Sequence, residues 1–146
     1  RSPRPNHSWI TAAGTVLDAA ALTLSVLDAP SKPSAALCLR AGFLSLSKIA
    51  DYFELPYPHN PSFPETPISI RQDEFTAVLA QLEEAGIPIK EDREQAWQDF
   101  AGWRVNYAHT LLSLSSLVMA PPAFWSSDRA PERKLSPIFK RKKQSE

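Results

Sequence analysis

The segment Ala96–Tyr107 places two tryptophans, a phenylalanine and a tyrosine around one arginine and one asparagine. Such side chains are costly to order and to desolvate, so this stretch fixes the architecture of whatever domain contains it. On a helix, Arg104 lies over Trp97, Phe100 and Ala101 and under Ala108 and Leu111, on the stripe that should be buried. An unpaired charge there would be heavily penalised. The arginine therefore needs an acid, and the sequence offers Asp18, flanked by Leu17, Ala21 and Leu22.

Arg40 repeats the pattern, with Leu37 before it and Phe43 and Leu44 after. Asp18, Arg40 and Arg104 thus form the candidate site. One reading is an internal ion-pair network that sets helix register. The other is a polar pocket taking a small anionic ligand between the two arginines. Trp97, Phe100, Gly102, Trp103, Asn106, Tyr107 and Trp125 are expected as structural residues. Asn106 is an amide that should satisfy a nearby backbone group, and Tyr107 is a large apolar body with a polar tip. Gly102 is expected to let another helix come close, and Trp125 to fold the following chain onto the core.

The spacing of apolar residues predicts an all-α fold, a compact bundle of about four helices. The first runs from about Trp9 to Leu27, with Asn6 or Ser8 as N-cap. A second follows Pro33 and continues to about Phe53. The third spans about Gln72 to Ala85, with Ser69 and Gln72 as a capping box and Gly86 and Pro88 as the stop. The fourth starts near Asp92, with Gln95 as its box partner. It ends before Pro121, giving about 27 residues or roughly 40 Å.

Fourteen prolines against four glycines imply stiff connections. Five of them lie in the connection 54–71, where Pro61, Pro64 and Pro67 recur with the period of a polyproline II helix. The connection reads either as a docking ligand for an aromatic groove or as a strap over the bundle pinned by Tyr57 and Phe63. The expected organisation is a linker at 1–8, a helical domain at 9–128 and a mobile basic tail at 129–146.

The net charge of zero conceals an asymmetry: residues 129–146 carry seven basic and two acidic side chains, leaving nine basic and fourteen acidic in the rest. The run Lys140, Arg141, Lys142, Lys143 suits an anionic lipid surface, at about 1 kcal/mol per basic residue. No nucleic-acid partner is expected, because the acidic body would repel a duplex. An enzyme is not expected either. His7, His59 and His109 are scattered, no cysteine accompanies Cys38, and no glycine-rich phosphate loop occurs. Neither metal nor cofactor is anticipated, and an enzyme using Asp18 and His109 would need those two side chains to converge in a cleft. No stretch reaches the ~20 apolar residues of a membrane span.

The run Trp97–Tyr107, followed by Met119–Asp128, resembles the C-terminal soluble part of bacterial ion-channel family proteins, which are like two-helix potassium channels. Arg1–Trp9 and Leu37–Phe43 are similar to the same group. The resemblance implies a cytoplasmic appendage at the membrane, with residues 1–8 as the link to the last membrane helix. Its partners would be sister subunits or the membrane portion of the same polypeptide. The Thr-Val-Gly-Tyr-Gly-like filter of such channels does not occur in this sequence, so the resemblance carries over no ion-binding residue.

Overall fold

The computed structural model describes residues 9–30 and 33–118. The N-cap candidates Asn6 and Ser8, the linker 1–8, Trp125 and the basic tail lie outside the described residues. Five α-helices follow one another: α1 (Trp9–Ser25), α2 (Pro33–Tyr52), α3 (Gln72–Glu84), α4 (Arg93–Arg104) and α5 (Ala108–Leu117). Among the described residues there is no strand, only an isolated antiparallel bridge between Leu27 and Ile89. There the Asp28 N–H donates to the Pro88 carbonyl at 3.1 Å and the Lys90 N–H to the Val26 carbonyl at 2.9 Å. These bonds tie the approach to α4 onto the end of α1.

α1 is the central element and packs against α2, α4 and α5. Its inner face, Ile10, Gly14, Leu17, Asp18 and Ala21, follows the 3.6-residue period. Leu39 and Leu46 of α2, Phe75 and Leu79 of α3, Trp97 and Phe100 of α4, and Leu111 and Leu114 of α5 complete one core.

The expected long fourth helix is two helices. Between them the Asn106 N–H turns back to the Trp103 carbonyl at 3.2 Å and the Tyr107 N–H to the Arg104 carbonyl at 3.1 Å, both three-residue closures. The Asn106 side-chain amide donates to the carbonyls of Gly102 and Trp103, at 3.0 and 3.2 Å. A side chain competing for helix carbonyls favours such a break. The α-helical pattern resumes when the Leu111 N–H reaches the Tyr107 carbonyl at 2.8 Å.

The capping of α3 also differs from the expected Ser69–Gln72 box. Arg71 occupies the N-cap, and its backbone N–H donates to the Glu74 carboxylate at 3.1 Å. The helix stops as foreseen, with Gly86 at φ 80° and the Ile87 N–H reaching back to the Leu82 carbonyl. Asp92 caps α4 by accepting from the Gln95 N–H at 3.0 Å. The Gln95 side chain turns to Asp99 instead of closing the box.

The proline-rich connection is a strap. Phe63 sets its edge against Trp97 at 5.7 Å, and Ile70 is buried. Tyr57 donates to the Asp51 carboxylate at 2.8 Å. A turn closed by the Thr66 N–H on the Ser62 carbonyl interrupts the polyproline spacing, so the three prolines do not form one continuous helix.

Two glycines should respond with opposite signs. A Cβ on Gly42 would stand 2.2 Å from Cδ2 of Leu17 and 3.2 Å from its Cγ, so turning one methyl does not clear it. Overpacking of this kind costs about 1–3 kcal/mol, more than the ~1 kcal/mol gained in helix propensity. A Cβ on Gly102 meets nothing within 4 Å. Gly102 therefore allows no close helix approach, contrary to expectation. Urea unfolding should show Gly42→Ala destabilising the fold and Gly102→Ala stabilising it by about 0.5–1 kcal/mol.

Candidate functional site

Asp18 faces inward from the middle of α1, Arg104 ends α4, and Tyr107 opens α5. Arg104 is fully buried, Tyr107 is 1% exposed and Asp18 7%. The Arg104 Nη1 and the Tyr107 hydroxyl both donate to Oδ1 of Asp18, the hydroxyl at 2.8 Å. The guanidinium carbon also lies 5.5 Å from the centre of the Tyr107 ring, within cation–π range. Three helices meet on one carboxylate oxygen. The C-terminal position of Arg104 adds to this, because a cation is favoured at the negative end of a helix.

Burial pushes the Asp18 carboxyl above its ordinary value of 3.8, and Arg104 and Tyr107 pull against that rise. Burial, followed by the Asp18 charge, holds the Tyr107 phenol well above its ordinary 10.0. A raised phenol favours the folded state below the unfolded value, and that contribution is lost as pH rises through the folded one. Tyr107→Phe should thus be less stable than the parent at pH 9, having lost a hydrogen bond to a charged group. The gap should narrow by pH 11, as urea titrations at both pH values would measure.

Arg40 does not join this cluster. α2 buries Leu39, Leu46 and Ala50, and Arg40 sits one residue round from Leu39 on the exposed side. Leu37 and Leu44, which gave Arg40 an apolar setting in sequence, are themselves exposed. Exposed Arg40 and fully buried Arg104 therefore do not share one pocket wall, and of the three candidate residues the structure brings together only Asp18 and Arg104, as an ion pair. His109 is exposed on α5, whereas Asp18 is enclosed by its two donors, so that pair does not converge either. Among the described residues, no group of three or more His, Cys, Asp or Glu side chains could hold a metal ion.

The rest of the motif divides between core and surface. Trp97 and Phe100 are buried with Phe75, at ring separations of 5.3 Å for Phe75–Trp97 and 5.1 Å for Phe75–Phe100. Gln98, Gly102, Trp103 and Asn106 line an open groove of about 380 Å³ with Leu24 and Asp99. Its amides are engaged locally: Gln98 donates to Glu94 at 3.2 Å, and Asn106 to helix carbonyls.

A second groove escaped sequence reasoning. It runs between α1 and α2, measures about 400 Å³ and is almost wholly apolar. Its signal was present in the sequence: α1 carries no charged residue except the buried Asp18. No family model, curated protein or solved structure matches the chain. Among the described residues, no helix is long and apolar enough to cross a membrane.

Proposed function

We propose that this chain is a non-catalytic assembly or regulatory domain, carried on the cytoplasmic side of an ion-channel-like membrane protein. The observation that carries the assembly part is the contrast between its polar and apolar features. The polar cluster is buried, with Oδ1 of Asp18 accepting from both Arg104 and Tyr107. The apolar face of α1 and α2 is open to solvent. A buried polar cluster sets helix packing, and an open apolar groove invites a protein contact.

The membrane part rests on the sequence resemblance of Trp97–Tyr107 and Leu37–Phe43 to channel-like proteins. On this reading, sister subunits or the membrane portion of the same polypeptide are the partners, and Lys140, Arg141, Lys142 and Lys143 meet anionic lipid. The coding sequence ahead of Arg1 tests it. Two apolar spans around a Thr-Val-Gly-Tyr-Gly-like loop are expected. A start codon just before Arg1 with no apolar span would overturn the membrane assignment.

A further inference from the structure

The groove at the end of α4 is built on one helical face. Gln98, Asp99, Gly102, Trp103 and Asn106 follow one another at three- and four-residue spacing along α4 and the turn after it. Leu24, in the last turn of α1, completes the wall. A Cβ on Gly102 meets nothing within 4 Å, so the space at its position is open. At about 380 Å³ the groove has the size of a small-ligand site. Its polar groups are unequally engaged. The Gln98 amide donates to Glu94 at 3.2 Å, and the Asn106 amide to the Gly102 and Trp103 carbonyls at 3.0 and 3.2 Å. Neither amide oxygen accepts a hydrogen bond among the described residues. Half-buried Asp99 accepts from Gln95 at 2.8 Å, and among the described residues no cation pairs with it. The wall therefore offers acceptors, one of them charged, beside an indole and a leucine.

We propose that this groove binds a small organic cation, a guanidinium or ammonium group on a short alkyl stem. The head group supplies the N–H donors that Asp99 and the Gln98 and Asn106 oxygens lack, and a charged donor on a carboxylate makes the stronger kind of hydrogen bond. The stem lies along Leu24 and Trp103, where the indole adds a cation–π contribution. The backbone acts in the same sense. α1 ends beside the groove, and a helix C-terminus favours positive charge. The Lys90 ammonium already answers it there, donating to the Leu24 carbonyl at 3.3 Å. The end of α4 contributes less, because α5 resumes at Ala108. The Arg104 charge beneath is matched by Asp18. An anion would meet the Asp99 carboxylate, and a neutral polyol would leave it without a counter-charge. The proposal goes beyond the assembly reading and depends neither on the α1/α2 groove nor on the membrane assignment.

Titration of the full 146-residue chain with butylguanidinium, followed by the Trp103 indole N–H resonance, tests it. The resonance is assigned by its loss in Trp103→Phe. A dissociation constant of about 1–10 mM is expected for so small a ligand. Butylurea has the same shape without the charge and should bind at least about 5-fold more weakly, as should butylguanidinium to Asp99→Asn. Gly102→Leu fills the open space and should abolish the shift, with far-ultraviolet circular dichroism at the parent level. Glu84→Ala on α3 should change nothing. The chain's own basic residues are a second source of the same chemistry. A full-length variant with Lys140, Arg141, Lys142 and Lys143 all replaced by glutamine separates the two sources. If it binds butylguanidinium more tightly than the parent, and its Trp103 resonance has moved before any ligand is added, the site is upheld with the chain's own tail as occupant. Equal binding upholds it for a free cation. No shift at about 50 mM in either protein overturns the proposal. So does equal binding of butylurea, or a shift indifferent to both Asp99→Asn and Gly102→Leu. Maltose or acetate moving the resonance where butylguanidinium does not would overturn it in favour of a sugar or an anion.

Discussion

Asp18→Ala is expected to cost about 3–5 kcal/mol, a large share of the 5–15 kcal/mol that holds an ordinary domain together. The loss comes less from the missing contact than from what stays behind. Arg104 is fully buried, and without the carboxylate its charge has lost its counter-ion in a low-dielectric setting. Tyr107 loses the acceptor for its hydroxyl at the same time. Asp18→Asn should cost less, since an amide oxygen can still accept from both donors. The informative variant removes the whole set: Asp18→Leu, Arg104→Met and Tyr107→Phe together should recover most of the loss. Urea midpoints for the single, double and triple variants would show it. If Asp18→Ala costs under about 1 kcal/mol, the cluster does not hold the three helices together.

That recovery would define what the cluster does. A buried ion pair contributes little net stability compared with well-packed apolar residues, but it disfavours arrangements in which its members do not meet. Here the members come from α1, α4 and the start of α5, so one carboxylate oxygen reports on the placement of three helices. A triple variant as stable as the parent but with broadened amide resonances would assign the cluster to register.

Asp18 and Arg104 were legible in sequence because each is a charge on an otherwise apolar helical stripe, and a charge so placed must be matched. Arg40 carried the same signal and misled. Neighbouring leucines mark a buried stripe only if they lie on the inner face, and α2 has apolar residues on both faces. The period alone did not distinguish Leu39, Leu46 and Ala50 within from Leu37 and Leu44 without. The α2 side of the open groove was hidden for the same reason, whereas its α1 side was marked by a helix whose one charge is Asp18. The break at residues 105–107 was also illegible, because neither proline nor glycine marks it. It arises from Asn106 bonding to helix carbonyls, a choice that depends on how α5 packs. The Gly102 reading failed because glycine is silent about its cause, and the glycine under packing constraint is Gly42.

Phe100→Ala should produce a loss of similar size, about 3–5 kcal/mol, by a different route. Phe100 has no exposed surface, and its ring lies 5.1 Å from Phe75 and 6.4 Å from Trp97. Truncation removes apolar contact, leaves a cavity and deletes two aromatic pairs, each worth about 0.5–1.5 kcal/mol beyond area. At roughly 3 °C per kcal/mol for a chain of this size, the melting temperature should fall by about 10 °C or more. Phe63→Ala is the comparison. Phe63 packs from the strap onto the same indole, edge-on at 5.7 Å, but is half-buried, so its loss should be less than half as large. Both variants should change Trp97 emission, since Phe63 and Phe100 both lie beside its ring, at 5.7 and 6.4 Å. The two differ in what opens. Phe63→Ala should release the strap and raise amide exchange around residues 61–68 while α4 stays protected, whereas Phe100→Ala should raise exchange in α3 and α4 together. Equal losses from the two would mean that the strap belongs to the core, and that the proline-rich connection is as much a structural element as the helices it joins.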